Sequence, residues 1–333
     1  MVSENPQLCI VLLNYRTPGL VIDCLNSLIA EASALNTKVL VVDNSSQDDS
    51  VSKIEAWITS NSASDTVSLI ASEHNGGFSA GNNIGIRACD AQYYLLLNSD
   101  TLVRPGALKL LVDKMVSLPN VGLLSPRLEW PDEQSQESCF RYHHPVSELI
   151  SSSGSGPILR LFPCREVAFR VSEDDTQPEW TSFACVMIRK QVFDQIGLLD
   201  EGYFMYYEDV EFCYRAREAG WEVYNHPLAK VVHLRGGSSS VKSSSKAKKR
   251  LPGYYYESRT RYFHRVYGRG GLLSANLLWT LGWLLAQTRG LFQRSFHPPA
   301  CRRQWLDIWT NFLAPTKPYV HPENYAKKAV KTK

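Results

Sequence analysis

The sequence predicts an α/β fold, a mostly parallel sheet flanked by helices, followed by a basic helical C-terminal extension. Three observations carry this. Short apolar runs alternate with helix-period segments through the first hundred residues, the pattern of strand–helix–strand units. These runs are continuous rather than alternating, as strands buried on both faces require. Charge is divided unevenly: from Arg235 onward there are about 19 Lys/Arg against about 3 Asp/Glu, so the α/β part is acidic and the remainder basic. A boundary near there is expected, separating residues 1–238, the α/β domain, from 239–333, a basic helical region.

Leu8–Leu13 is the first strand candidate and ends at Asn14-Tyr15-Arg16. Pro18 suits a first helical turn, and Leu20, Val21, Cys24, Leu25 and Leu28 follow near helical period. Lys38–Val42 is a second strand, ending at Asp43-Asn44-Ser45-Ser46. Asp48, Asp49 and Ser50 open the next helix. After a third strand, Val67–Ala71, comes a glycine-rich loop, Asn75–Asn83, and a helix from about Ala80 to Ala88. Tyr93–Leu97 then stops abruptly at Asn98-Ser99-Asp100. Ligands collect at the carboxyl ends of such strands, so Asn14, Asp43 and Asp100 mark a cleft. A plain turn, or a cap for a helix near Pro105, would use Asn98–Asp100 as well.

Farther on, Val121–Ser125 reads as a strand, while Trp130–Gln177 has no clear pattern and is a substrate-covering insertion or a long surface loop. Thr181–Ile188 is a core strand. Glu208-Asp209 open a helix, and Trp221–His226 and Lys230–His233 are two short strands. Gly236–Lys249, nearly devoid of apolar residues, is expected to be mobile. Gly271–Gln287 is rich in Leu, Trp and Ala, with a narrow polar stripe of Asn276, Thr280 and Gln287. It falls short of the ~20 residues a spanning helix needs. Flanking Arg265, Arg269, Arg289 and Arg294, with Trp279 and Trp283, fit a helix lying in a membrane interface; a helix docked on protein is the alternative.

The 44% hydrophobic and 21% charged content excludes wholesale disorder. Met1–Gln7 is polar and Leu8–Leu13 too short for a signal-peptide core. The eight cysteines are scattered without a C-x-x-C pair, and Cys9 and Cys185 read as small buried hydrophobes, so a reducing cytoplasm is expected. No dinucleotide fingerprint or Walker motif is present, which argues against a nicotinamide oxidoreductase. The basic tail contains no nucleic-acid-binding motif.

A nucleoside diphosphate-sugar in such a cleft needs a divalent cation with hard ligands, Mg²⁺ or Mn²⁺. Asp100 can supply one ligand and His233 another. Asp43 can accept from a ring N–H, or else cap a helix. In the adjacent pair Glu208 and Asp209, mutual repulsion raises one carboxyl toward the range of a general base; helix N-terminal electrostatics explains the pair equally.

Several strings carry a resemblance: Val11–Tyr15 (VLLNY), Val41–Ser46 (VVDNSS), Asn75–Asn83 (NGGFSAGNN), Leu96–Thr101 (LLNSDT), Tyr206–Glu211 (YYEDVE) and His233. In this order, across residues 8–238, they resemble the family-2 glycosyltransferases, most nearly bacterial rhamnosyltransferases of cell-wall and O-antigen assembly. The resemblance implies a GT-A fold and metal-dependent inverting transfer from a nucleotide-sugar. It makes Asp209, with Glu208, the catalytic base. Asp100 and His233 become the metal ligands, and Asn14, Tyr15, Asp43, Gly77, Asn82, Asn98 and Ser99 the nucleotide-sugar site. Trp180, Phe183 and Tyr206 would meet the acceptor. The implied donor is dTDP-L-rhamnose and the acceptor a polyprenyl-diphosphate-linked or other saccharide. Such an acceptor would hold the protein peripherally on the inner face of the cell membrane. A UDP-sugar donor, or a non-catalytic sugar-nucleotide-binding scaffold, are the alternatives. Two positions depart from the family: Asn98-Ser99-Asp100 where Asn-Pro-Asp or Asp-x-Asp is commoner, and Phe183 where a glycine is expected.

Overall fold

A computed structural model of the protein describes residues 5–234 and 241–324. The first half alternates as β1 (Leu8–Asn14), α1 (Pro18–Ala34), β2 (Thr37–Asp43), α2 (Ser50–Ser60), β3 (Val67–Ala71), α3 (Gly77–Ala88) and β4 (Tyr93–Asn98). Then come β5 (Thr101–Val103), α4 (Ala107–Ser117), β6 (Val121–Glu129), β7 (Cys139–Phe140), α5 (Pro145–Ser153) and α6 (Gly156–Leu161). The chain continues through β8 (Trp180–Thr181), β9 (Cys185–Arg189), α7 (Lys190–Ile196), α8 (Glu208–Glu218) and β10 (Glu222–His233). Three helices close it, α9 (Val241–Lys246), α10 (Gly253–Phe292) and α11 (Gln304–Asp307).

Two compact units divide the chain. The first comprises Met1–Phe140, Arg170–Glu201 and Phe212–Ser238, and holds the sheet, ordered β3-β2-β1-β4-β9-β6-β10-β5. Pairs β3/β2, β2/β1, β1/β4 and β6/β10 are parallel; β9 runs antiparallel to β4 and β6, and β5 to β10. β4 stands fourth in this order and β5 at the far edge, yet only Ser99 and Asp100 separate them. Three Cα steps reach at most ~11 Å, so the sheet must curl to return its edge to the end of β4. That curl brings His233, at the end of β10, opposite Thr101.

The expected strands formed because continuous apolar runs can be buried on both faces. Leu8, Ile10, Leu12, Val39, Val41 and Leu95 are all inaccessible, under Val21, Cys24, Leu25 and Leu28 of α1. Several expectations need correction. α3 begins at Gly77, so most of the glycine-rich string is helix rather than loop. Its glycines are there for packing: a Cβ on Gly85 would sit 2.5 Å from Val11 Cγ1, and one on Gly81 would overlap Leu13 of β1. β6 runs on to Glu129. Thr181–Ile188 is interrupted by a turn at Phe183-Ala184. The two short strands near the end of the sheet are one, β10, with a register shift between His226 and Lys230.

The second unit comprises Arg141–Phe169, Gly202–Glu211 and Ser239–Lys333. Helices α5 and α6 occupy part of the stretch that shows no pattern in the sequence. Of the glycine/serine-rich segment, residues 236–240 lie outside the described residues, and Val241–Lys246 is helical. The expected helix at Gly271–Gln287 is part of the longer α10, which breaks at Gly268 (φ 67°, ψ −171°). Gly282 permits close packing of α10 on α5, where a Cβ would overlap Ser152 Oγ. Across the same seam the Arg259 guanidinium donates to Glu148 (2.8 Å) and to the Asn276 side-chain oxygen (2.8 Å), all buried.

Candidate active site

In the first unit, β1 and β2 end side by side with Asn14 opposite Asp43. Both are buried and joined: Asn14 Nδ2 donates to Asp43 Oδ1 at 2.6 Å, while the Ser46 hydroxyl donates to Oδ1 (2.5 Å) and the Ser46 amide to Oδ2 (3.0 Å). A carboxylate has about four acceptor sites, so three inward bonds leave Asp43 capacity for one further donor such as a ring N–H. It is not a helix cap, because α2 starts seven residues later. The loops are bent to make these bonds: Arg16, Ser45 and Gln47 all have left-handed φ near 55–59°. Arg16 binds the Ser46 carbonyl through Nε (2.9 Å), and its guanidinium lies 5.0 Å from the Tyr15 ring centre. Asn44 Nδ2 reaches the Gly77 carbonyl and the Asn75 side chain, both at 2.9 Å, and so fixes the start of α3. Gly77 itself has φ 82°, and Asn82 Nδ2 is held by the Phe78 carbonyl (2.9 Å).

β4 ends one register step away, with Asn98 opposite Leu13. Ser99 Oγ lies 3.1 Å from the Thr17 hydroxyl, and Thr17 donates in turn to Asn14 Oδ1, so the ends of β1 and β4 are linked through side chains. Thr17 and Ser46 complete this constellation. Ser46 lies within a family-like string, whereas nothing in the sequence marks Thr17.

Asp100 and His233 are brought together, with His233 Nε2 3.5 Å from Asp100 Oδ1 and both side chains buried. Two bonds secure the pairing: the Leu234 amide donates to the Asp100 carbonyl (2.9 Å), and Gln136 Nε2 donates to the His233 carbonyl (2.7 Å). Among the described residues no three His, Cys, Asp or Glu side chains cluster as a metal site. The pair instead offers one carboxylate and one imidazole, and His233 Nδ1 is buried without a hydrogen-bond partner among the described residues. This donor set would fit a divalent cation that takes its further ligands from outside the chain. Asn98, at the strand's last position, adds no carboxylate.

Trp180 stacks on Phe140 (centroids 4.3 Å), and Phe183 is buried edge-on against Phe212 (5.9 Å). A cavity of about 280 Å³ at the opposite end of β4 is lined by Cys89, Asp90, Tyr94, Lys190 and Asp194. Its Lys190 is already paired with Asp194, and no group there matches the constellation at Asp100.

In the second unit, Tyr206 and Tyr207 both adopt left-handed φ (72° and 67°) immediately before Glu208 and Asp209. Two successive non-glycine residues in this region are strained by about 1–2 kcal/mol each. Aromatic packing holds them: Tyr206 lies parallel to Tyr254 (6.5 Å, 2°), and Tyr207 packs on Tyr255 and Tyr262. Asp209 Oδ1 accepts from the Val210 amide (2.9 Å) at the start of α8, where the helix dipole favours a negative charge. Glu208 is buried, and desolvation together with the neighbouring Asp209 charge pushes its carboxyl well above the ordinary range.

Residues 9–139 match the model of glycosyl transferase family 2. The chain is 30% identical over 234 residues to the low-salt glycan biosynthesis hexosyltransferase Agl10 of Haloferax volcanii, covering 68% of this chain and 66% of that protein. It is 27% identical over 208 residues to an N-acetylglucosaminyl-diphospho-decaprenol L-rhamnosyltransferase of Mycobacterium tuberculosis (61% and 64% coverage). Thus the chain spans slightly less than two thirds of the length of these relatives. Among solved structures it is similar in fold to the mannosyltransferase PcManGT from Pyrobaculum calidifontis, in complex with GDP-Man and Mn²⁺. There the TM-score is 0.52 at 14% identity, with 94% of this chain and 86% of the other covered. Motif order, strand-end geometry and these likenesses agree: the chain belongs to glycosyl transferase family 2, has the GT-A fold, and is close to rhamnosyltransferases.

Proposed function

We propose that the protein is an inverting glycosyltransferase that moves L-rhamnose from dTDP-L-rhamnose to a saccharide carried on polyprenyl diphosphate, in cell-wall, O-antigen or exopolysaccharide biosynthesis. The observation that carries the reading is the set of polar groups at the ends of β1, β2, β4 and β10: Asn14–Asp43 and Asp100–His233. The named activities of the relatives from M. tuberculosis and Shigella flexneri, an L-rhamnosyltransferase and a dTDP-rhamnosyl transferase, support rhamnose as the sugar. The decaprenol in the first of these names supports a lipid-linked acceptor.

Asp43 accepts from the base, with Asn14, Tyr15, Gly77 and Asn82 shaping its surroundings. Asn98 and Ser99 border the sugar and diphosphate. Asp100 and His233 would hold Mg²⁺ or Mn²⁺, which when bound offsets the charge of the departing diphosphate. Asp209 takes the proton of the acceptor hydroxyl; the acceptor oxygen bonds to the anomeric carbon as the bond from that carbon to the diphosphate oxygen breaks, which inverts the carbon and releases the nucleoside diphosphate. Glu208, whose carboxyl is pushed upward by burial and by the Asp209 charge, stands beside it and favours the charge on Asp209. Trp180, Phe183 and Tyr206 are assigned to the acceptor side. Residues 1–238 supply this chemistry, and 239–333 keep the enzyme on the inner face of the cell membrane, near its acceptor.

The test is a panel of nucleotide-sugars offered to the purified protein with Mn²⁺, reading nucleoside diphosphate release with and without acceptor. Selective turnover of dTDP-L-rhamnose is expected. Turnover of another sugar would reassign the donor, and binding without turnover would make the protein a scaffold. Asp209→Asn is expected to lower transfer by about 10²-fold or more while donor binding survives; full turnover in that variant removes Asp209 from the mechanism.

A further inference from the structure

We infer that the outward face of residues 270–288 in α10 is a docking surface for an anionic lipid bilayer, on which the helix lies in the plane of the interface. The inference rests on the membrane location just proposed and assigns it to a surface.

At 100° per residue, Leu273, Leu277, Leu281, Leu284 and Leu285 fall within an arc about 120° wide. All five are 41–54% exposed. Leu291 and Phe292 continue the same arc and are exposed further, at 80% and 89%. The opposite arc, with Leu272, Ala275, Trp279, Gly282 and Ala286, is the buried one. A surface helix normally turns its polar side outward, and here the sense is reversed. No charged residue occurs from Gly270 to Thr288, a helical length of about 28 Å.

The hydroxyls along this surface bond to the helix's own backbone. The Ser274 hydroxyl donates to the Gly270 carbonyl (2.8 Å), Thr280 to Asn276 (2.8 Å) and Thr288 to Leu285 (2.9 Å), so each is satisfied by its own helix backbone. That arrangement suits hydrocarbon and offers little to a protein partner, whose interfaces use about one hydrogen bond per 100–200 Å². Trp305, half-exposed beside Leu306 in α11, stacks on Trp283 (6.2 Å, 17°) and adds an indole of the kind that settles at headgroup depth. Exposed Arg269, Arg289 and Arg294 stand at the ends of the apolar stretch, complementary to anionic headgroups. Among the described residues no helix is long and apolar enough to cross a membrane, so the surface lies on the bilayer rather than through it.

The full chain is tested by sedimentation with vesicles of phosphatidylglycerol and phosphatidylcholine in about equal parts. The parent is expected to pellet with them. Leu277→Glu/Leu281→Glu is expected to lower the partition coefficient at least about tenfold, and Leu277→Ile/Leu281→Ile to leave it unchanged. Raising salt to about 0.5 M is expected to cost only a few-fold, because the leucines carry more of the binding than the arginines. A parent that stays in the supernatant, or a glutamate variant that pellets equally, overturns the assignment. So does a parent dimer that the glutamates dissociate without any vesicle binding, which would make the face a self-association surface. Far-UV circular dichroism checks the fold of the variant. Should it not fold, quenching of parent tryptophan fluorescence by brominated lipid decides, and absence of quenching counts against the surface. No substrate enters these measurements, so vesicle binding without donor turnover keeps the surface and removes only the transferase reading.

Discussion

Glu208 is the residue whose environment says most about how this chemistry is arranged. Burial, and then the adjacent Asp209 charge, raise its carboxyl well above the ordinary carboxylate range. A raised carboxyl contributes its full stability below pH 4.5 and loses it as pH climbs through the shifted value. Glu208→Gln mimics the neutral acid and should remove that loss. Melting temperatures of variant and parent are expected to agree at about pH 4.5 and to separate by a few degrees in favour of the variant at about pH 8.5. A variant equally destabilised at both values would show that the carboxyl has another role. At Asp100 the expectation concerns binding: Asp100→Ala should abolish the Mn²⁺ dependence of donor affinity in calorimetry, and a donor held equally well with and without Mn²⁺ by both proteins would take Asp100 out of the metal site. Asp43 and Asp100 are legible in the sequence because each follows an apolar run that stops abruptly. The bonds that complete their surroundings are less so. Thr17 is a common residue in a common place, and Gln136 reaches His233 from 97 positions away.

At the scale of elements, α3 shows where local propensity misleads. Glycine weakens an isolated helix by about 1 kcal/mol relative to alanine, so NGGFSAGNN reads as a loop. Tertiary packing overrides this, because only glycine lets the helix lie directly on β1. The two contacts differ in kind, and the difference is testable. At Gly85 an added Cβ meets both γ carbons and the Cβ of the β-branched Val11 in a central strand, and Gly85→Ala is expected to cost about 1–3 kcal/mol. At Gly81 it meets the end of the Leu13 side chain, which can rotate away, and only grazes Asn44 Nδ2 at 3.3 Å, so Gly81→Ala should cost less. Urea midpoints of the two variants check the order. In the second unit, Glu148→Ala leaves the Arg259 charge buried without a carboxylate, facing Asn276 and the Phe263 ring, and a loss of about 3–5 kcal/mol is expected in the same measurement. The helices that make this unit were poorly legible between residues 130 and 177, because their partners lie in α10, more than a hundred residues on.

For the whole molecule, the sequence marks a division of labour through charge, with acidic residues before Arg235 and basic ones after it. The packing of the chain divides it elsewhere: residues 141–169 and 202–211 group with the C-terminal helices rather than with the sheet. Composition cannot reveal this, since it records what a segment is made of and not where its partners are. One arrangement also bears on how the protein comes into being. Asp100 stands beside β5, whose neighbour in the sheet is β10, the last strand to be synthesised. Contacts of such wide sequence separation close late, because the intervening chain must first give up its freedom. The Asp100–His233 pair is therefore expected to be completed late in folding, and on the proposed function a chain that has not yet presented His233 should bind the donor poorly. In refolding from urea, fluorescence of a bound nucleotide analogue should recover only with the slowest phase, after the signal of the β1–β4 core. Recovery with the core would show that β10 docks early.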